Sequence, residues 1–225
     1  MERKTIFHFI YGRPCSGKTE AMQHLANKSD VTYISVGNIT RNEINSGSAL
    51  GLQLKSYLEA IKEYPPELIT QTLRTHILTT NTSIAVLDGY PKYGREAHSF
   101  EKLAREHRLK LGSVAIISIT LDEAVKRAES RRICPHCQKT FSMHDSKSLS
   151  CPTCPNCLIK LTQREDDSPE VLSRRFHDFD DYMSQTLPIL RNLVSDVVEI
   201  DGLQSQDKIA DQLSTIFRFN SNKPG

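Results

Sequence analysis

The chain has 225 residues, with 29 Lys and Arg against 27 Asp and Glu. So even a balance excludes a general nucleic-acid binder and a polybasic membrane-surface protein, and no apolar run approaches the roughly 20 residues of a membrane span. The length suits one sizeable α/β core carrying small insertions. The opening, MERKTIFHFIYGRP, is charged, then apolar only briefly, and lacks a small-residue cleavage site. It reads as a buried strand over 5–12 rather than a secretion signal, in keeping with a cytoplasmic protein.

A helix is expected at 19–28, a short strand at 31–35, and helices at 49–63 and 66–80. A buried strand at 83–89, a helix at 99–111, a strand at 113–121 and a helix at 122–132 follow. Short β-branched runs alternating with helical periodicity imply a doubly wound parallel sheet. Residues 133–167 break the pattern, being rich in Cys, Pro and Ser, and read as an insertion. Ser168 reads as a helix N-cap and Pro169 as the first helical residue. A weaker strand at 196–201 precedes the polar tail FNSNKPG, which reads as frayed.

Gly12-Arg13-Pro14-Cys15-Ser16-Gly17-Lys18-Thr19 fits GxxxxGK(S/T) without a gap, between an expected strand and an expected helix. Glycines let the backbone curl around a phosphate, so that exposed N–H groups and the positive helix end face the anion. Lys18 then reaches the β- and γ-phosphates, and the Thr19 hydroxyl takes the metal position. Asp88 closes the apolar strand IAVLDG, a place suited to holding Mg²⁺ through water. Cys15 lies in the loop near a helix N-terminus, a position that tends to lower a thiol's pKa. Arg127 and Arg131, four apart, read as one face of one helix. With Arg41, Arg164 and Arg175 they supply cations able to stabilise a phosphoryl group in flight.

Five of the six cysteines fall within CPHCQKTFSMHDSKSLSCPTCPNC, residues 134–157. Paired CxxC units without a secretion signal favour metal over disulfides. Two frames suit a tetrahedral zinc: Cys134, Cys137, Cys151 and Cys154, or Cys134, Cys137, Cys154 and Cys157, with His136 and His144 as possible substitutes. Spacing alone leaves both open. Lys139, Lys147 and Lys160 are the only cations of 133–160, too sparse for a nucleic-acid footprint.

In order along the chain, GRPCSGKT, YISVGNITRNEI, VLDGYPK, AVKRAESRR and QREDDSPEVLSRRF resemble the signatures of the nucleoside monophosphate kinases, specifically the long, lid-bearing adenylate kinases. The resemblance implies a P-loop three-layer fold with a five-stranded parallel sheet. It implies a core of 1–34, 65–132 and 168–225, a helical acceptor-nucleotide insertion at 35–64 and a zinc-stabilised lid at 133–167. The implied reaction is ATP + NMP ⇌ ADP + NDP with Mg²⁺, by a monomer without nucleic-acid or membrane partners. Lys18, Arg127, Arg131, Arg164 and Arg175 would carry catalysis. Gly12, Cys15, Ser16, Gly17, Lys18, Thr19, Glu20, Arg127, Arg131, Thr140 and Phe141 would meet ATP. Val36, Arg41, Gly89, Tyr90, Pro91, Lys92, Glu96, Arg164 and Arg175 would meet the acceptor. The resemblance also selects Cys134, Cys137, Cys154 and Cys157 as zinc ligands, because the last cysteine then stands seven residues before the lid arginine, Arg164.

Four positions depart from that family. Val36 stands for a threonine beside adenine, Asn38 for an aspartate of the metal-water network, Lys92 for the arginine of the Asp-Gly-Phe-Pro-Arg signature, and Glu96 for a glutamine that reads adenine. Lysine lacks the bidentate fork. An ionised Glu only accepts, which suits guanine's donor edge and makes GMP the rival acceptor to AMP. Tyr64-Pro65-Pro66 stiffens the point where the acceptor segment rejoins the core. A nucleotide-sensing pseudoenzyme, a small-metabolite kinase and a zinc-ribbon nucleic-acid-binding protein are the remaining readings.

Overall fold

The computed structural model describes residues 5–28, 30–60, 64–137, 140–143, 153–163 and 167–218. The chain forms two compact units. One comprises Met1–Gly12, Gly17–Ser118 and Asp180–Gly225; the other comprises Arg13–Ser16 and Ile119–Phe179.

The first unit holds a five-stranded sheet in the order β2-β3-β1-β4-β7, with β1 at Ile6–Gly12, β2 at Val31–Ser35, β3 at Ile84–Asp88, β4 at Lys110–Ser118 and β7 at Val197–Asp201. Every pairing is parallel, as the strand–helix alternation requires. The central strand β1 is apolar on both faces because both are covered. Phe7, Phe9 and Ile10 are fully buried. On one face Ile10, Val86, Ala115 and Ile117 pack with Ala21, Met22 and Leu25 of α1 (Lys18–Lys28) and with Ile209, Ala210 and Leu213 of α8 (Gln206–Ile216). Phe9 meets Phe100 of α5 (Gly94–Glu106) edge-on at 5.4 Å. Register places Ser35 opposite Asp88 and Gly12 opposite Ile117. The phosphate-loop glycine and Asp88 therefore both close strands at the carboxyl edge of the sheet, where ligands of open α/β folds bind.

The described residues of 35–64, the stretch expected to be the acceptor insertion, include two helices, α2 at Val36–Ser46 and α3 at Ala49–Glu59. Gly47 ends α2 with φ 68°, and its N–H bonds the Ile44 carbonyl. Gly51 lets the pair close, since a Cβ there would stand 2.0 Å from the Glu43 carbonyl oxygen. Pro66 opens α4 (Pro66–Thr79) as its first residue.

Several boundaries differ from what the sequence predicts. The helix expected at 99–111 runs Gly94–Glu106, and β4 already begins at Lys110. Arg108 takes φ 49° and breaks the helix, after which Lys110 and Leu111 pair with Ile6 and Phe7. Sheet pairing thus overrides the helical propensity of RLKL. The strand expected at 113–121 stops at Ser118, because Thr120 caps the next helix through its hydroxyl and the Glu123 N–H.

That helix, α6 (Leu121–Ser130), lies in the second unit with the hairpin β5 (Arg131–Ile133) and β6 (Thr140–Ser142) and with the start of α7 (Pro169–Arg191). Arg131 is therefore not on the helix of Arg127. Its backbone is extended (φ −72°, ψ 135°) and pairs with Ser142. Ser168 caps α7 as expected, accepting the Val171 N–H at 3.3 Å. The tail 219–225 lies outside the described residues.

Candidate active site

In the first unit, Lys18 opens α1 and its Nζ lies 2.8 Å from Asp88 Oδ1. The other carboxylate oxygen, Oδ2, accepts the Tyr33 hydroxyl. Burial and then the Asp88 charge push the Tyr33 phenol well above its ordinary pKa, so it stays a donor. The nearby hydroxyls of Thr19 and Ser35 act on the phenol in the opposite sense. Asp88 and Thr19, singled out separately for Mg²⁺, thus both act on one phenol. Their carboxylate and hydroxyl oxygens are the hard donors this ion takes. Tyr33 opens the stretch YISVGNITRNEI but receives no role from the sequence; its register position, opposite Val86 and two before Ser35, is what sets it beside Asp88.

The loop backbone is left-handed at Cys15 (φ 61°) and Gly17 (φ 82°). Glycine suits that φ at Gly17, and a Cβ there would have to displace the tip of the Gln206 side chain, whose Nε2 would lie 2.2 Å away. In the second unit the Ser16 N–H bonds the Arg13 carbonyl at 3.1 Å, Ser16 is buried, and Cys15 packs beside Ile119, Ala124 and Phe176. Glu20 is exposed in the first turn of α1.

Around the acceptor signature, Gly89 takes φ 71° and a cis peptide joins Tyr90 to Pro91. Tyr90 is fully buried and its hydroxyl meets Thr70 Oγ1 at 2.8 Å. The Tyr11 hydroxyl donates to the Pro91 carbonyl at 2.7 Å. Glu96 is buried, and its Oε2 accepts the Lys92 backbone N–H at 2.6 Å, back-bonding the start of α5. The Lys92 Nζ lies 5.0 Å from the Tyr93 ring centroid and 5.3 Å from that of Tyr182. Val36 is the first residue of α2, and Arg41, one turn on, bonds Asn38 Oδ1 from an exposed position.

The second unit brings the remaining arginines to different partners. Arg127 donates from Nε to Glu123 Oε1 at 2.7 Å and from Nη1 to the Cys15 carbonyl at 3.3 Å, which ties α6 to the phosphate loop. Arg131 forks onto Asp167, with Nε 2.9 Å from Oδ2 and Nη2 on Oδ1. Asp167 is buried, so the pair is rigid and desolvated. Arg175 is half-buried in the second turn of α7, and Arg164 lies outside the described residues. Thr140 is exposed on β6, whereas Phe141 packs against the cysteine cluster.

Cys134, Cys137, Cys154 and Cys157 place their Sγ atoms within 4.8 Å of one another, Cys137 and Cys154 at 3.6 Å. A tetrahedral zinc with bonds of about 2.3 Å needs sulfurs about 3.8 Å apart. The four fit that ion and lie too far apart for a disulfide. The chain arrives there through paired turns. Ile133 and Thr162 exchange N–H···O bonds of 2.8 and 2.9 Å, and Cys154 exchanges bonds of 2.8 Å with Ile159 and Leu158. The backbone N–H groups of Cys137 and His136 hold the Cys134 thiol down to about 7. Hydrogen bonding to Cys137, then burial, then Cys154 and Cys134, push Cys157 up to about 12. Cys134, Cys137, Cys154 and Cys157 could hold a divalent cation, whose charge would offset that crowding and favour all four as thiolates. The convergent set is the second frame, without His136; Cys151 and His144 lie outside the described residues.

A family model described as Adenylate kinase matches residues 10–196. The chain belongs to the adenylate kinase family. Adenylate kinases of Pyrococcus furiosus (29% identical over 216 residues, 95% of this chain and 96% of theirs) and Thermococcus onnurineus (30% over 216 residues, 95% of each) are similar along almost the whole length. That of Pyrococcus horikoshii is 30% identical over 215 residues, 95% of this chain and 96% of its own. Members are phosphotransferases that use Mg²⁺ with ATP, and the chain is an enzyme of nucleotide phosphoryl transfer. No helix among the described residues is long and apolar enough to cross a membrane.

Proposed function

We propose that the chain catalyses ATP + AMP ⇌ 2 ADP. The observation that carries this reading is the Lys18–Asp88–Tyr33 constellation, set where a complete phosphate-loop motif closes the central strand of the sheet. Before turnover Lys18 is neutralised by Asp88. Nucleotide binding exchanges that partner for the β- and γ-phosphates, while Tyr33 and Thr19 keep Asp88 oriented. Mg²⁺, bound with the nucleotide near Asp88 and Thr19, offsets phosphate charge when present.

An AMP phosphate oxygen is already ionised at neutral pH, so no general base is required. It displaces ADP from the γ-phosphorus, one P–O bond forming as another breaks. The cations' role is positioning and charge stabilisation. Arg127 and Arg131 are assigned to the transferred group, with Arg164 and Arg175 as further cations and Arg41 and Lys92 on the acceptor phosphate. The segment 133–167, which zinc on Cys134, Cys137, Cys154 and Cys157 would stiffen, is assigned to keeping water from the phosphates. That zinc has no open position and its role is structural.

AMP is favoured by the relatives' name. It is also consistent with Glu96 spending Oε2 on the Lys92 backbone N–H rather than holding both oxygens toward a base. A coupled assay with ATP and AMP, GMP, CMP or UMP at equal concentration tests the reading. AMP should be fastest. GMP fastest would move the acceptor to guanine, and no turnover with any of them would overturn the enzyme reading in favour of a nucleotide sensor.

A further inference from the structure

Lys92 is held at every polar handle it owns. Its N–H donates to Glu96 Oε2 at 2.6 Å, its carbonyl accepts the Thr186 hydroxyl at 2.9 Å, and its ammonium lies between the rings of Tyr93 and Tyr182. Those rings meet edge to face at a centroid distance of 6.1 Å, and both distances to Nζ fall within cation–π range. Tyr182 and Thr186 stand four apart on α7 and share a face. One helix therefore fixes both the head and the backbone of this lysine, and Thr186 is fully buried at the joint.

The other cations assigned to phosphate are treated differently within their own units. Lys18 is paired with Asp88, Arg127 with Glu123 and Arg131 with Asp167. Among the described residues no carboxylate pairs with the Lys92 ammonium. A carboxylate aims a cation but also neutralises it, and an arriving phosphate must displace it. Two aromatic faces aim the cation and leave its charge available to an anion. Aiming matters more here than for arginine, because lysine is a point charge on a flexible four-carbon stem with no fixed fork.

We infer that Tyr93 and Tyr182 are positioning residues that hold the Lys92 ammonium ready for the phosphate of the acceptor nucleotide; this rests on the proposed phosphoryl transfer to a nucleoside monophosphate. They touch neither nucleotide and act through Lys92. Steady-state kinetics of the full chain test this. Tyr182→Phe keeps the ring and should leave every constant within about twofold of wild type. Tyr182→Leu and Tyr93→Leu remove a π face and should raise KM for AMP by about five- to tenfold, with KM for ATP and the unfolding midpoint little changed. In a Lys92→Met background the same tyrosine substitutions should add nothing, since the group they aim is gone. Should Tyr182→Leu fail to fold, Tyr93→Leu alone and combined with Lys92→Met decides the question.

Two results would overturn the inference alone: an active wild type whose leucine variants keep their KM for AMP, or an equal effect with and without Lys92. A wild-type chain inactive with every nucleoside monophosphate would remove the underlying reading, and the inference with it.

Discussion

Around β1 the chain buries Phe7, Phe9 and Ile10 completely, with helices on both faces of the sheet; in the cysteine knuckle, 134–161, the buried residues among those described are Cys134, Cys154 and Leu161, backed by Phe141. Each large apolar side chain buried in the sheet contributes about 1.5–3 kcal/mol, enough in sum to offset chain entropy. The described part of the knuckle offers few such groups, and Leu158, at its turn, is 81% exposed. We propose that a metal held by the four thiols would supply the missing cohesion. Labour is then divided within one chain: the sheet holds its strand ends, and with them Lys18 and Asp88, by apolar burial, whereas the knuckle would borrow rigidity from an ion and could be dissolved separately.

The sharpest way to break that comparison is to remove the metal. Cys157→Ser, or chelation of the wild type, should abolish bound zinc and unfold the knuckle, a site whose ligation is worth on the order of 10 kcal/mol. The far-UV signal of the sheet and its helices should persist. Loss of the whole fold would show that the two regions are not independent. Next comes Lys18→Ala, which should lower kcat by about 100-fold or more while zinc content and the unfolding midpoint stay put. Near-wild-type turnover would detach the sheet's strand ends from the chemistry.

The sheet has its own weak point in acid. His8 is buried with Nδ1 accepting the Ser113 N–H at 2.9 Å, and its ring lies 4.8 Å from that of Phe217. Burial, then the charge of Arg218, lowers its pKa from 6.5 to about 4. The unfolded chain therefore takes up a proton that the folded one refuses. The stabilisation is complete above pH 6.5 and is lost as pH falls from there toward 4, by about 3 kcal/mol. Urea unfolding across that window should show the slope in wild type and lose that component in His8→Asn, whose side-chain oxygen can replace the ring acceptor. The smallest effect belongs to Cys151→Ser, which should leave bound zinc and thermal stability unchanged. Zinc loss there would return the ligand set to the first frame.

The phosphate loop and the alternation of strands with helices were legible because each is written in local spacing; the convergent cysteine set was not, since spacing left two frames open and only the family resemblance chose between them. Nor was Arg131. ESRRI has helical propensity, and only the pairing of Arg131 with Ser142 and its fork onto Asp167 draw it off the helix. The end of α5 failed for the same reason, since β1 recruits Lys110 and Leu111 into the sheet. Tyr33, Tyr93 and Tyr182 were invisible as site residues, because a tyrosine carries no signature until the fold sets a carboxylate or an ammonium beside it. Lys92 and Tyr182 come from separate elements, and their contact exists only once α7 packs beside the start of α5.

Phosphoryl transfer between two nucleotides can be followed without any added acceptor, by giving the protein Mg²⁺ and ADP alone and recording the phosphorus resonances. ATP and AMP should appear together in equal amounts as ADP is consumed, and Lys18→Ala should suppress both. Unchanged ADP, or AMP accumulating with inorganic phosphate and no ATP, would refute the proposed reaction.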